Sequence, residues 1–126
     1  MKESPGWIAI VDDDPSVLKA LKRTFRHHSI RAQVFGSAED FLESLRDGLP
    51  ECLILDLEMP GMSGLELLHR LMRENVRITT IVITAHGDAR VRERCATAGA
   101  VAYFSKPFSN SSLLAAVDAA RKAMKP

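Results

Sequence analysis

The sequence predicts an α/β fold in which a five-stranded parallel sheet carries helices on both faces. Short apolar runs alternate along the chain with amphipathic segments, and this alternation is typical of β-α-β units. Polar residues follow four of the apolar runs, as at the carboxyl edge of such a sheet. A chain of 126 residues with 46% apolar and 26% charged residues has the length and composition of one globular domain. We therefore expect residues 1–126 to form a single doubly wound domain.

Five apolar runs account for the predicted strands. In chain order they cover residues 7–11, 31–35, 52–55, 78–84 and 101–105. Every residue of the fourth run is β-branched, which is typical of a strand that is buried on both faces of a sheet. The sequence therefore predicts that helices cover both sides of the sheet.

Four of the five predicted helices begin near a residue that favours a helix start, and all five carry an apolar stripe. Pro15 suits a first turn, and Ser37, Asp88 and either Ser109 or Asn110 suit caps. The expected buried stripes are Leu18, Leu21 and Phe25, then Phe41, Leu42 and Leu45, then Leu65, Leu68 and Met72, then Val91, Cys95 and Ala98, and finally Leu114, Val117 and Met124. Helices and strands thus alternate strictly, five of each.

The composition argues against several classes of function. Seventeen basic and 16 acidic residues give a formal net charge of +1, so no overall field attracts the chain to nucleic acid or to a membrane surface. No run approaches the roughly 18 apolar residues of a membrane span. Two cysteines, Cys52 and Cys95, make neither a disulfide framework nor a zinc site. We expect a cytoplasmic protein whose own surface binds neither nucleic acid nor membrane.

Chemically active side chains from four strands are expected at one edge of the sheet. They are Asp12, Asp13 and Asp14 after the first strand, Asp56 after the third, Thr84 at the end of the fourth and Lys106 after the fifth. At about 4 Å and an effective dielectric near 20, each pair of like charges costs about 4 kcal/mol. A cation relieves this repulsion, and oxygen ligands without His or Cys favour Mg²⁺. A carboxylate beside Mg²⁺ and a lysine is a nucleophile suited to forming an aspartyl phosphate.

Four motifs in this order resemble those of response-regulator receiver domains, the phosphoacceptor modules of two-component phosphorelays. They are IVDDD at 10–14, LILD at 53–56 with MPGMSG at 59–64, ITA at 83–85 and KPF at 106–108. The resemblance extends from about Trp7 to Met124 and implies the flavodoxin-like strand order 2-1-3-4-5. It also implies a signalling switch rather than an enzyme, with only Mg²⁺-dependent self-phosphorylation and autodephosphorylation of its own. A histidine kinase or a phosphotransfer protein would supply the phosphoryl group.

The resemblance assigns a metal-binding and phosphoacceptor role to four residues. Asp56 would be the phosphoacceptor and a metal ligand. Asp13 would bind Mg²⁺ directly, Asp12 largely through water, and Glu58 through its backbone carbonyl. Asp14 is expected instead to be a solvated first-turn acid or a helix cap.

Further roles follow from the same resemblance. Thr84 and Lys106 would bind the phosphoryl group, and Tyr103 would be an aromatic switch. The bond between Lys106 and Pro107 would be a cis peptide bond. The side chains of Glu58 and His86 should flank the mouth of the site, where they affect the approach of water or phosphodonor in a direction that the sequence does not fix.

The output surface is expected on the fourth helix, the fifth strand and the fifth helix. Arg90 and Arg94 lie four residues apart on the fourth helix and point away from its apolar stripe. They belong either to a homodimer interface or to a solvated basic face. The motif context also resembles receivers that precede helix-turn-helix effector domains.

Three other functions are compatible with parts of the pattern. Asp12 and Asp14 match the Asp-x-Asp motif of Mg²⁺-dependent phosphohydrolases that form an aspartyl phosphate, but the chain has no room for a cap domain. A flavodoxin-type module would need a hydroxyl-rich loop after the first strand, where three aspartates would repel the FMN phosphate. A module that binds partners without phosphorylation is the third possibility, although every key phosphorylation residue is in place.

Overall fold

The computed structural model describes residues 6–123 and contains the expected alternation of strands and helices. The strands are β1 (Ile8–Val11), β2 (Ala32–Phe35), β3 (Cys52–Asp56), β4 (Thr80–Thr84) and β5 (Ala100–Ser105). The helices are α1 (Pro15–His27), α2 (Ala38–Ser44), α3 (Gly64–Arg73), α4 (Ala89–Thr97) and α5 (Asn110–Ala123). A 3₁₀ turn at Leu45–Asp47 follows α2 directly.

All five strands are parallel and lie in the order β2-β1-β3-β4-β5. This confirms the predicted fold class and strand order. The chain moves outward from β1 to β2, then crosses back to β3 on the other side of β1. The carboxyl ends of β1 and β3 therefore flank the point where the strand order reverses, which is where ligands bind in open α/β sheets.

The sheet divides the apolar core into two layers. Ala9 and Val11 of β1 face one layer with α2, α3 and α4, whereas Ile8 and Ile10 face the other with α1 and α5. Strands β1, β3 and β4 are buried along their whole length. This confirms the prediction that helices cover both faces of the sheet, and solvent reaches mainly the edge strands β2 and β5 and the strand ends.

Two expectations from the sequence are wrong in detail. Strand β4 begins at Thr80 and not at residue 78, and Thr80 is the first residue of β4 in register with β3, opposite Leu53. Met72 is 51% exposed, and Leu67 and Leu71 lie in the core with Leu68 in its place. The apolar residues of α3 are Leu65, Leu67, Leu68, Leu71 and Met72, and they are compatible with either stripe, so the sequence pattern does not distinguish the two. Met124, expected on the last stripe, lies outside the described residues.

The helix caps hold the loops at the carboxyl edge in place. Asp14 caps α1 and accepts a hydrogen bond from the Ser16 N–H at 2.9 Å, which confirms its expected role as a cap. Ser37 caps α2 and Asp88 caps α4, as predicted. Ser63 forms a capping box at the start of α3, which the sequence analysis did not identify. Within the described part of the chain, no helix combines the length and the apolar character needed to cross a bilayer.

Candidate functional site

The carboxyl ends of the central strands gather buried polar side chains in one place. Asp12 directly follows β1, Asp56 is the last residue of β3, and Thr84 is the last residue of β4. Their exposed fractions are 0%, 2% and 0%. Burying a carboxylate is unfavourable unless it is paired, so the surroundings of these groups decide what the site does.

Three carboxylates form a cluster on one side of this edge. Oxygen atoms of Asp12, Asp13 and Asp56 all lie within 4.8 Å of one another, and Asp13 is the exposed member. Asp12 is fully engaged, because Oδ1 accepts from the Asp14 N–H at 2.9 Å and Oδ2 from Lys106 Nζ at 2.9 Å. Oδ1 of Asp56 is buried and has no hydrogen-bond partner among residues 6–123. A buried carboxylate oxygen without a hydrogen bond, in an all-oxygen cluster, fits a hard divalent cation.

Lys106 provides the positive charge that faces the acids. Its Nζ lies 2.9 Å from Asp12 Oδ2 and 3.3 Å from Asp56 Oδ1, and the second contact is an ion pair without hydrogen-bond geometry. Three carboxylates against one ammonium group leave an excess of two negative charges when all are ionised. A single divalent cation would balance that excess.

The surroundings of the site raise the pKa of both Asp56 and Lys106. Burial and the nearby Asp12 charge raise the pKa of Asp56 to about 6, against the opposing attraction of Lys106. Burial works to lower the pKa of Lys106, but the hydrogen bond and charge of Asp12, with the charge of Asp56, raise it above its ordinary value. Lys106 therefore stays cationic at neutral pH, and Asp56 is a more basic carboxylate than usual.

Hydrogen-bond donors lie on the other side of the edge, and a carboxylate already accepts hydrogen bonds from them. The Thr84 hydroxyl donates to Glu58 Oε2, and the Ala85 N–H donates to Glu58 Oε1 at 3.1 Å. The His86 N–H donates to Thr84 Oγ1 at 3.2 Å and so orients the hydroxyl. The sequence analysis placed Glu58 at the mouth but did not identify these contacts. The position of Glu58, two residues after Asp56, was the sequence signal that placed this residue at the mouth.

Tyr103 lies beside this donor group with its hydroxyl turned toward the α4 start. A Cβ atom on Gly87 would stand 1.6 Å from the Tyr103 hydroxyl and 2.8 Å from Thr84 Cγ2, so the glycine leaves room for the ring. The Arg92 guanidinium lies 5.5 Å from the ring centroid. The hydroxyl is buried and has no hydrogen-bond partner in the described part of the chain.

The remaining predicted residues lie at or near the same edge. The Lys106–Pro107 peptide bond is cis. Arg90 and Arg94 are both exposed on α4. His86 is exposed at the mouth and contributes its backbone N–H to Thr84. The assembled site thus combines a basic carboxylate, an excess of negative charge suited to a cation, and donors for an anionic oxygen.

The profile of the response regulator receiver domain family matches residues 8–118. The chain belongs to this family. Receiver domains are the phosphorylation-activated switches of two-component signalling, and histidine kinases phosphorylate them. The family match favours this function over the phosphohydrolase and the phosphorylation-independent binding module.

Individual relatives place the domain in longer proteins. Nodulation protein W of Bradyrhizobium diazoefficiens is 41% identical over 113 residues, which are 90% of this chain and 50% of that protein. The DNA-binding transcriptional regulator NtrC of Klebsiella pneumoniae is 33% identical over 120 residues, 95% of this chain and 25% of that protein. The crystal structure of FixJ-N matches with a TM-score of 0.87 and 34% identity, over 100% of this chain and 99% of that chain. The chain therefore spans half of nodulation protein W and a quarter of NtrC.

Proposed function

We propose that the domain accepts a phosphoryl group on Asp56 from a histidine kinase or a phosphotransfer protein. The observation that carries this proposal is the Asp56 carboxylate itself, which is 2% exposed and whose Oδ1 has no hydrogen bond among residues 6–123 and lies 3.3 Å from Lys106 Nζ. An Asp56 oxygen attacks phosphorus while the phosphorus–nitrogen bond of the donor's phosphohistidine breaks, and the leaving imidazole takes up a proton. Lys106 offsets the charge of the transferred group.

The acid cluster supports a magnesium site. Asp13 and Asp56 would bind the ion directly, with the Glu58 backbone carbonyl as a further ligand. Both oxygens of Asp12 already hold other partners, which supports a contact through water. When bound, Mg²⁺ supplies positive charge that brings carboxylate and phosphoryl oxygens together.

The donors next to Asp56 support phosphoryl binding and signal output. Thr84 would donate its hydroxyl to a phosphoryl oxygen, and Lys106 would form an ion pair with another. Tyr103 packs close to Thr84, so a shift of the threonine changes the space available to the tyrosine ring. Tyr103 would thereby carry the change to the face formed by α4, β5 and α5.

The whole protein is proposed to act through a partner or a second domain. Residues 1–126 would form one receiver unit, and the relation to NtrC supports a DNA-binding effector elsewhere in the full-length protein. Arg90 and Arg94 on α4 support a homodimer that forms after phosphorylation. Sedimentation with and without a beryllofluoride mimic tests this interface, and Arg90→Glu with Arg94→Glu should weaken association while Asp56 is still labelled.

Intact-mass measurement with a small phosphodonor such as acetyl phosphate tests the chemistry. The wild-type domain should gain one phosphoryl group in Mg²⁺ and none in excess chelator. Asp56→Asn should not be labelled, whereas Asp118→Asn, the same change at an exposed acid of α5, should be labelled as the wild type is. Labelling of Asp56→Asn, or labelling of the wild type without metal, would contradict the assignment.

A further inference from the structure

The Glu58 side chain is the unexpected occupant of the site. Glu58 is exposed, yet both of its carboxylate oxygens accept hydrogen bonds from residues at the end of β4 and directly after it. Oε2 accepts from the Thr84 hydroxyl and Oε1 accepts from the Ala85 N–H at 3.1 Å. A glutamate side chain loses conformational freedom when both of its carboxylate oxygens are hydrogen-bonded. Two charge-assisted hydrogen bonds therefore hold a group that would otherwise extend into water.

The donors that Glu58 occupies are those an incoming phosphoryl group needs. Thr84 is the proposed partner of a phosphoryl oxygen, and the Ala85 N–H converges on the same carboxylate from the next residue. A carboxylate and a phosphoryl group both present anionic oxygens to such donors. One hydroxyl proton is donated to only one acceptor at a time, so the two anions exclude each other at Thr84.

We propose that the Glu58 side chain is an internal competitor of the phosphoryl group. It holds the Thr84 hydroxyl and the Ala85 N–H in the unphosphorylated protein and swings out to solvent when a phosphoryl group arrives on Asp56. Because Glu58 is exposed, this movement disrupts no core packing. The proposal rests on the proposed function and adds to it a residue that sets how readily Asp56 is loaded.

A pair of variants separates occupancy of the donors from simple charge repulsion. Glu58→Ala removes the carboxylate, whereas Glu58→Asp keeps the charge on a side chain one methylene shorter that does not span both donors. Both retain the backbone carbonyl of residue 58. Glu43→Ala is the matched control, because it removes an exposed glutamate on α2 that forms an ion pair with Arg46 at 3.7 Å.

The first measurement uses the protein without metal or phosphodonor. The amide resonance of Ala85 reports its hydrogen bond in ¹H–¹⁵N spectra. Glu58→Ala should shift it toward higher field, Glu58→Asp should shift it in the same direction, and Glu43→Ala should leave it in place. An Ala85 resonance that is unchanged in Glu58→Ala would overturn the proposal.

The second measurement is loading of the site in Mg²⁺. Glu58→Ala should speed labelling by acetyl phosphate and tighten beryllofluoride binding by about tenfold, which corresponds to about 1.4 kcal/mol. Glu58→Asp should show most of this gain, while Glu43→Ala should match the wild type. If Glu58→Asp instead equals the wild type and Glu58→Ala is faster, charge repulsion explains the effect and the competitor proposal is wrong.

Failure of this proposal is distinguishable from failure of the phosphoacceptor assignment. If the wild type is labelled on Asp56 and Glu58→Ala is labelled no faster, only the competitor proposal falls. If the wild type resists labelling but Glu58→Ala accepts one phosphoryl group, both proposals gain support. Absence of labelling in every variant, with Mg²⁺ present, would remove both.

Discussion

Two halves of one sheet edge handle charge in opposite ways. The acid half, formed by Asp12, Asp13, Asp56 and Lys106, holds three carboxylates against one ammonium group. The donor half, formed by the Thr84 hydroxyl and the Ala85 N–H, already holds the Glu58 carboxylate. One half has more negative charge than its own residues balance, and the other has its donors satisfied.

Because of this difference, we expect changes in the acid half to affect folding stability and changes in the donor half to affect phosphorylation of Asp56. In the acid half Asp12 and Asp56 are buried and Lys106 is half-buried, so a change of one of these charges alters the free energy of unfolding as well as the affinity for cation. In the donor half the competing carboxylate comes from an exposed residue, so changes there should act mainly on ligand binding. Variants of the buried acid half should therefore change the free energy of unfolding more than variants of the donor half do.

The largest effect is expected from Lys106→Met. This change leaves Asp12 and Asp56 buried without their cationic partner, and loss of one member of a buried pair typically costs about 3–5 kcal/mol. Because the lysine side chain is 23% exposed, we expect a loss of about 2–4 kcal/mol in the free energy of unfolding. Urea unfolding in chelator measures it. Lys122→Met, at the exposed pair with Asp118, should cost less than about 0.5 kcal/mol, and equal losses would contradict the contrast.

Asp56→Asn should have the opposite effect on the free energy of unfolding. The pKa of Asp56 rises from its usual 3.8 to about 6 in the folded protein, so folding favours the neutral carboxyl. The resulting destabilisation is absent below pH 3.8, grows as pH rises toward 6 and is complete above it. The metal-free variant should therefore be more stable than the wild type at pH 7.5, by at most about 3 kcal/mol.

The pH dependence makes this prediction specific. The advantage of Asp56→Asn should shrink as pH falls from 6 to 4 in urea unfolding with chelator. Asp14→Ala provides the contrast, because hydrogen bonds from Ser16 lower the pKa of Asp14 and that group stabilises the fold above its usual pKa. Its variant should be less stable than the wild type at neutral pH. An Asp56→Asn advantage that does not depend on pH would refute the charge explanation.

The acid half and the position of Thr84 are predictable from sequence, whereas the hydrogen bonds that Glu58 makes in the donor half are not. Asp12, Asp56 and Lys106 each follow an apolar run that forms a strand, so the position of the run carries the side chain to the edge. Glu58 lies in the connection between β3 and α3, whose path depends on packing and on the Ser63 capping box. No periodicity of the sequence determines which way its side chain folds.

The same limit explains the errors inside the elements. The β-branched run that forms β4 begins two residues before the strand, and its residue types do not show that regular pairing with β3 begins at Thr80. In α3 the pattern allows two apolar stripes, and contact with the sheet selects the one with Leu67 and Leu71 rather than Met72. Sequence patterns define which elements exist, whereas tertiary contacts define their ends and faces.

A smaller effect is expected from Tyr103→Phe beside the donor half. The Tyr103 hydroxyl is buried without a hydrogen-bond partner among residues 6–123, so its removal relieves an unsatisfied polar group. The variant should be more stable than the wild type by about 1 kcal/mol in urea unfolding, with unchanged loading of Asp56. A loss of stability would show that the hydroxyl has a stabilising partner.

The smallest effect on folding is expected from Asp13→Asn, and it sharpens the contrast within the acid half. Asp13 belongs to the same carboxylate cluster as Asp56 but is exposed, so solvent screens its charge in the metal-free protein. Its neutralisation should change the free energy of unfolding in chelator by less than about 0.5 kcal/mol. Calorimetric titration should nevertheless show Mg²⁺ affinity reduced by about tenfold or more, because an ionised ligand is lost. A metal-free gain as large as that of Asp56→Asn would mean that repulsion, and not burial, dominates the acid half.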